Sequence, residues 1–421
     1  MPLVYRGWWM ACGGCVCMGM VAVMAVSAYG LYLEPLKSEF GWSQTAISTA
    51  FGVTFIIAAL ASPLVGRLVD HHGPRRVMAA GTVVTACLYL GLSQVTAFWH
   101  LFLILGFLAF FQVWIFYIPL TCYVTRWFRR RRATAMAIVT SGFGFGGLMF
   151  LPLMAGTIDA IGWRESLVAA GGITVLVNGT FLLLFRDTPD SRCVQPEESG
   201  AAADQSEDGL LVLATPREMF RRAAFWLLVG GFSFFFFAQW AFLFHAIPFF
   251  ESRGLASGDA ALVLSAAAGL GVFLRLCAGL AIDRLRYHEP LAAAALFTMA
   301  CATVLLMVSN TWLALGLFVV LWGVGSGIAP LLQPLVISRV FGMRHYGTVY
   351  GTSDGLDTMG VICGTWLGVL LLNVTGSYET ILALYACAFL FGGISLVGLS
   401  RVSHSSERHS LAFAATQSAS P

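Results

Sequence analysis

The sequence predicts an all-α membrane protein with twelve transmembrane helices, arranged as two pseudo-symmetric bundles of six. Three observations lead to this prediction: the composition, the lengths of the apolar segments, and an internal repeat. The chain has 421 residues, of which 58% are hydrophobic and only 11% are charged. Because soluble domains are about 25% charged, the apolar excess is too large for one buried core and must be covered by lipid.

Twelve apolar segments are long enough to cross a bilayer. Most have about 20–27 residues, and a helix of that length spans a hydrocarbon layer of about 30 Å. Helices are required because lipid offers no hydrogen-bond partner to an unpaired backbone group. The predicted spans are residues 8–33, 45–68, 76–96, 99–124, 133–158, 165–186, 223–250, 260–283, 290–309, 312–338, 346–373 and 378–400.

Basic residues are distributed unequally between the two sides of this topology. Twenty arginines lie at the termini or in loops on the same side as the termini. Only Lys37, Arg164 and Arg253 lie on the other side, and Arg275 lies inside a span. By the positive-inside rule, both termini are expected in the cytoplasm, and the protein is expected in the cell membrane.

The spans divide the chain into an N-terminal bundle, residues 1–186, and a C-terminal bundle, residues 223–400. Residues 187–222 form the one long connection and contain acids, Ser, Gly and an Ala run. We expect this segment to be a cytoplasmic linker. Residues 401–421 are Ser-rich and lack apolar periodicity, which predicts a disordered cytoplasmic tail.

An internal repeat relates the two halves of the chain. Four segments of the first half recur after 213 or 214 residues, and the shared offset is stronger evidence than any one match. The pairs are Gly66–Asp70 with Gly279–Asp283, Trp99 with Trp312, Ser141–Gly142 with Asp354–Gly355, and Gly162–Glu165 with Gly376–Glu379. Two parallel six-helix repeats with a substrate site near the membrane midplane are typical of secondary transporters.

The loop after the second span contains Gly66, Asp70 and Gly73, followed by Arg75 and Arg76. This segment resembles the signature loop Gly-x-x-x-Asp-x-x-Gly-x-Arg/Lys of the major facilitator superfamily. The resemblance implies that the loop is a latch that controls conformational switching and does not select the substrate. Gly66 would permit close helix contact, and Asp70 would pair with cations and a helix N-terminus. The alternative is a basic cytoplasmic turn without a gating role.

Three further segments resemble monocarboxylate-transporter-like proteins and the related oxalate:formate exchangers. They are Tyr5–Trp9 at the first span, Tyr117–Pro119 in the fourth, and Arg275–Gly279 in the eighth. In that branch the arginine binds the substrate carboxylate, so the resemblance implies that Arg275 is the anion anchor. It also implies that Tyr117 faces the substrate, although a core tyrosine bonded to backbone is an open alternative.

The chain departs from that branch in two ways. The position one turn before the arginine usually holds an acid in that branch, but here it is Gly271. The single lysine, Lys37, lies outside the membrane. A dianion that needs two cationic partners is therefore less favoured than a monoanion. The glycine-proline pattern of drug exporters is absent from the fifth span, which argues against drug:proton antiport without excluding it.

An arginine inside the membrane requires a partner. Its insertion costs at least ~2.5–3.5 kcal/mol unless the guanidinium is paired or solvated. Asp354 and Asp357 are three residues apart in the eleventh span, hence on one helix face. In the facilitator fold this helix faces the same cavity as the eighth. We expect Arg275 to pair with one of these two acids. Both acids are candidate proton carriers, and Asp354 is favoured by its depth in the membrane. The alternative is a purely structural ion pair without a role in transport.

Two weaker candidates complete the predicted site. His245 near the outer end of the seventh span could join a proton path because histidine titrates near neutral pH, or it could be an interfacial packing residue. Gln333 in the tenth span could contact the substrate. Cys12, Cys15 and Cys17 lie in an apolar helix with no nearby His or acid, so they are interpreted as packing residues, and no metal or cofactor is expected.

These observations predict a secondary active transporter that moves a small organic monocarboxylate by alternating access, as a proton symporter. The alternatives are a transporter of another small solute or a drug-like amphiphile, and a membrane sensor that does not transport. An enzyme is not expected because no catalytic set is clustered in the sequence. The expected partners are the carboxylate, protons and the lipid bilayer, with no nucleic acid, and the functional unit is expected to be a monomer.

Overall fold

The computed structural model describes residues 6–27, 29–187, 210–211, 213, 215–285, 287–309 and 311–418, with side chains up to residue 405 except those of 26 and 27. All regular secondary structure in these residues is helical. Twelve helical segments are long and apolar enough to cross a membrane. The prediction of an all-α protein with twelve membrane helices is therefore confirmed.

The observed spans are close to the predicted ones, and most extend beyond them at one or both ends. Their bounds are Arg6–Phe40, Gln44–His72, Pro74–Ser93, Phe98–Trp127, Arg132–Ile161, Trp163–Leu184, Ala223–Ser252, Ser257–Ile282, Glu289–Val308, Trp312–Phe341, Tyr346–Thr375 and Tyr378–Ser405. They are called the first to twelfth spans below.

Two spans are interrupted helices. In the first span, a π-helical turn at Val23–Ser27 separates Arg6–Ala22 from Tyr29–Phe40. In the fourth span, a 3₁₀ turn separates Phe98–Gln112 from Tyr117–Trp127. Pro119 explains the second break, because it cannot donate to the carbonyl of Ile115 and its ring would clash there. A new helix that starts at Tyr117 places Pro119 in the first turn, where no N–H is needed.

The chain forms two compact units. The first comprises Met1–Asp204 with Tyr350–Gly355, and the second comprises Gln205–Val349 with Leu356–Pro421. Within the first unit the third span packs on the sixth, and the second on the fourth. Within the second unit the ninth span packs on the twelfth, and the eighth on the tenth. These two helix pairings therefore recur in both units.

A helix continues past residue 400, where the last predicted span ends. One helix runs from Tyr378 to Ser418, while residues 419–421 lie outside the described part. No Gly or Pro occurs between Leu399 and Ser418, so nothing in the sequence ends the helix, and Ala, Leu and Gln support it.

The end of the predicted linker also packs on the second unit. Residues 188–209 lie outside the described part. The backbone N–H groups of Leu210 and Leu211 donate to the carbonyls of Arg339 and Val340 at 3.1 and 2.8 Å. These contacts satisfy carbonyls near a helix end, which lack helical donors. Leu213 is buried as well, so the described part of this segment makes apolar contacts.

Candidate functional site

Arg275 lies in the eighth span, seven residues before its last residue, Ile282, and its side chain is half-buried. Its Nε donates to the carbonyl oxygen of Gly327 at 3.0 Å, and its Nη2 donates to that of Ser326 at 3.2 Å. Both acceptors belong to the tenth span. The guanidinium, which has five donors and no acceptor, is therefore held against the backbone of a neighbouring helix.

Asp357 lies in the eleventh span and is 3% exposed. Its Oδ1 accepts from the hydroxyl of Ser233 in the seventh span at 2.6 Å, and its Oδ2 accepts from Nε2 of Gln333 in the tenth at 2.5 Å. Gln333 is equally buried. The structure thus brings one proton-coupling candidate and one substrate-binding candidate into a buried network of three helices.

The tenth span carries contacts to both Arg275 and Asp357. Its Ser326 and Gln333 are seven residues apart, which is about two helical turns, so they share one face. Their Cα positions are separated by about 10 Å along the helix axis. This face of the tenth span therefore borders a half-buried cation and a buried acid of the same unit.

Asp354 contacts a different helix from Asp357. Its Oδ2 accepts from the hydroxyl of Ser62 in the second span at 2.7 Å. A Cβ on Gly355 would lie 2.5 Å from the carbonyl oxygen of Ala59, so the two helices cross closely here. Residues three apart on a helix are rotated by about 60°, which is enough for the two acids to meet different neighbours.

The signature loop lies at the junction of the second and third spans. Gly66 is at the helix crossing, where a Cβ on Gly351 would lie 3.0 Å from its Cα. Asp70 is half-buried in the last turn of the helix Gln44–His72. Gly73 ends that helix with φ 82° and ψ 152°, and Pro74 starts the next. The positive φ explains the glycine.

The arginines of this loop differ in their surroundings. The backbone N–H of Arg75 donates to Oδ1 of Asp187 at 2.8 Å, so an acid that follows the sixth span caps the third. Arg75 is half-buried and Arg76 is exposed. The capping carboxylate lies at a helix N-terminus, where negative charge is favourable.

His245 and Tyr117 occupy separate places in the two units. His245 Nδ1 is 2.8 Å from the carbonyl oxygen of Ala241 and 3.4 Å from the hydroxyl of Tyr385. The shorter contact requires a hydrogen on Nδ1, since a carbonyl can only accept. Tyr117 is half-buried and starts the second helix of the fourth span.

Sequence reasoning missed three hydroxyl or carboxyl partners at these positions. They are Ser62, Ser233 and Asp187. Ser233 stands as a single polar residue in a long apolar run, and Ser62 precedes a proline within a span. A lone hydroxyl inside a membrane helix is the signal that could have pointed to the two serines, because such groups hydrogen-bond between helices.

A buried ion pair joins the ninth and tenth spans. Arg339 Nη1 lies 2.7 Å from Oε2 of Glu289, and the two side chains are 16% and 0% exposed. The guanidinium also lies 4.5 Å from the ring centroid of Tyr287. In the sequence, Arg339 is only one of the arginines that predict the membrane orientation. Nothing in the local sequence pattern shows that Glu289 is buried beside it.

The helical architecture and the loop motif agree with a direct family match. The sequence profile of the Major Facilitator Superfamily matches residues 15–356. The chain belongs to this superfamily. It is therefore a multi-pass membrane transporter and not an enzyme, as the sequence predicted.

Relatives within the superfamily agree with the branch suggested by the motifs. Human monocarboxylate transporter 11 is 26% identical over 373 residues, which cover 88% of this chain and 75% of that protein. The oxalate:formate antiporter of Oxalobacter formigenes is 29% identical over 239 residues, which cover 55% of this chain and 53% of that protein.

Solved structures of major facilitators share the fold. The proton:xylose symporter XylE has a TM-score of 0.70 at 13% identity and covers 93% of this chain and 94% of its own. FucP in the outward conformation has a TM-score of 0.68 at 15% identity, with 94% and 100% covered. Since both identities are low, these matches establish the fold alone.

Proposed function

We propose that this facilitator moves a small organic monocarboxylate across the cell membrane by proton symport, with Arg275 as the anion anchor. The observation that supports this proposal most directly is an arginine held inside the eighth span against a neighbouring backbone. An intramembrane ionisable residue is a functional candidate by default. The names of the relatives, monocarboxylate transporters and an oxalate:formate antiporter, point to the same substrate class.

The proposed coupling follows from charge balance. A substrate carboxylate binds a guanidinium well because two parallel hydrogen bonds form. An acid that loses its cationic partner to the substrate then favours the protonated form in a low-dielectric site. One anion and one proton thus load together, and the loaded site carries no added net charge through the conformational change.

Two acids are candidates for the proton carrier. The depth of Asp354 in the sequence favoured it, but the contacts of the structure favour Asp357. Asp357 belongs to the same unit as Arg275, and both side chains contact the tenth span. Gln333, which donates to Asp357, and Tyr117 are proposed to contact the substrate, and His245 to lie on a proton path.

Uptake by proteoliposomes tests the proposal. We expect one or more of ¹⁴C-labelled formate, acetate, lactate and pyruvate to accumulate under an inward proton gradient. Arg275→Ala should abolish this uptake, and Arg275→Lys should fail as well because an ammonium lacks the planar fork. Arg253→Ala, which removes a basic residue of an exposed ion pair, is the matched control and should transport normally.

Other outcomes would replace the proposal. Near wild-type accumulation of a carboxylate by Arg275→Ala would show that the anchor is wrong. Uptake of a neutral or amphiphilic solute, with none of a carboxylate, would identify the alternative transporter class. Binding without any flux would identify a sensor.

The orientation is part of the proposal. Both termini are proposed to be cytoplasmic, on the basis of the arginine distribution. An epitope added at either terminus of the protein in intact cells should be reached by antibody only after permeabilisation. Labelling of either epitope in sealed cells would overturn the assignment.

A further inference from the structure

Pro330 interrupts the hydrogen bonding of the tenth span beside Arg275. A proline has no N–H, so the carbonyl four residues earlier, that of Ser326, receives no helical donor. Inside a membrane such a group must find another partner. Arg275 Nη2 lies 3.2 Å from this oxygen, and Nε lies 3.0 Å from the carbonyl oxygen of the next residue, Gly327.

Two glycines bring the helices close enough for this contact. A Cβ on Gly327 would collide with the carbonyl oxygen of Gly271, and a Cβ on Gly271 would lie 3.1 Å from Oγ of Ser326. Gly271 is one turn before Arg275, at the position where the related transporters carry an acid. A Cβ at Gly271 would crowd the Ser326 side chain, and the close crossing brings two backbone carbonyls of the tenth span to the arginine.

The two contacts also fix how the guanidinium is turned. Nε–H and Nη2 form one edge of the planar fork, and this edge faces the carbonyls of Gly327 and Ser326. A carboxylate can bind a guanidinium either along that edge or end-on, through Nη1 and the second hydrogen of Nη2. Of these two approaches, the end-on one keeps both backbone contacts in place when the anion binds.

We propose that Pro330 is a positioning residue for anion binding, and that the substrate carboxylate meets Arg275 end-on. Pro330 keeps the Ser326 carbonyl available as an acceptor, and this acceptor sets the plane of the fork before the substrate arrives. Pre-organisation of this kind improves affinity because less side-chain freedom is lost on binding. This inference rests on the proposed role of Arg275 as the anion anchor.

The first test needs no substrate. In Pro330→Ala, the new N–H at residue 330 can donate to the Ser326 carbonyl and displace Nη2 of Arg275. We expect phenylglyoxal to modify Arg275 several-fold faster in Pro330→Ala than in the wild type, as measured by peptide mass spectrometry. The matched control is Pro334→Ala, one turn away in the same helix. Its new N–H can donate to the carbonyl of residue 330 and not to that of Ser326. Equal modification rates in the two proline variants would overturn the proposal.

The second test measures transport of the same labelled carboxylates. Pro330→Ala should raise KM about tenfold, the size of one charge-assisted hydrogen bond, with kcat within about twofold of the wild type. A structural defect would instead lower kcat or the yield of folded protein in both proline variants. If Arg275→Ala still transports normally, the anchor role fails. If Arg275→Ala is inactive but Pro330→Ala behaves as Pro334→Ala, only the positioning role fails.

Discussion

Gln333 and Asp357 are joined by a buried hydrogen bond in which Nε2 donates to Oδ2 at 2.5 Å. With Ser233 on the other carboxylate oxygen at 2.6 Å, Asp357 connects the seventh, tenth and eleventh spans. A buried polar group is costly when its partner is removed, so movement of any of these helices changes the surroundings of this carboxylate. This arrangement is suited to linking protonation with helix movement.

Asp357→Asn should separate the proton from the substrate. An amide keeps the shape of the side chain but cannot take up a proton. We expect loss of accumulation under a proton gradient, while exchange of labelled for unlabelled carboxylate persists. Asp354→Asn should accumulate substrate normally.

Ser233→Ala provides a graded comparison for Asp357. It removes one hydrogen bond and keeps the acid, so coupling should be retained with at most a few-fold change in rate. If Asp354→Asn uncouples the proton and Asp357→Asn does not, the two acids exchange roles in the mechanism.

Asp70→Asn should slow conformational switching. Asp70 lies in the last turn of the second-span helix, within the signature loop. We expect kcat to fall at least tenfold, while KM changes by less than about threefold. The control is Arg67→Gln, because Arg67 is exposed and lies in the same helix, three residues before Asp70. A large loss of affinity with unchanged turnover would contradict the role as a latch.

Glu289→Gln should destabilise the second unit much more than Glu379→Gln. The Glu289 side chain is fully buried and that of its partner Arg339 is 16% exposed, and removal of one charge from a buried pair costs about 3–5 kcal/mol. Glu379 is 64% exposed beside Arg253, and such pairs contribute about 0–1 kcal/mol. Thermal unfolding in detergent, followed by fluorescence, measures both variants. Equal melting temperatures of Glu289→Gln and Glu379→Gln would show that the buried pair stabilises the protein no more than the exposed pair does.

Asp187→Ala should weaken the start of the third span. Its carboxylate accepts from the backbone N–H of Arg75, and loss of such a cap costs about 0.5–2 kcal/mol. Gly73→Ala should cost more, because φ is 82° and the new Cβ would lie 2.8 Å from Oδ2 of Asp187. Thermal unfolding distinguishes them, with Asp159→Ala as an exposed acidic control. A larger effect of the control than of Asp187→Ala would contradict the capping role.

The number of membrane helices and the family can be predicted from the sequence alone. Long apolar segments specify helices wherever lipid is the solvent, because backbone groups must be satisfied within the segment. The glycines and acid from Gly66 to Gly73 are close together along the chain, so their spacing alone makes the motif recognisable. The candidate residues Arg275 and Asp357 were found for a similar reason: a charge inside an apolar run is conspicuous.

The partners of these charged side chains depend on how distant helices pack. Ser233 and Asp357 are 124 residues apart, and no local pattern shows that their helices are neighbours. The same holds for Arg275 and the Ser326 carbonyl, 51 residues apart. Pro330, which removes the backbone donor to the Ser326 carbonyl, is visible in the sequence. Only the close crossing at Gly271 and Gly327 shows that an arginine takes the place of that donor. Pairing between distant helices depends on small residues that let backbones approach, and this packing is a property of the fold and not of any one segment.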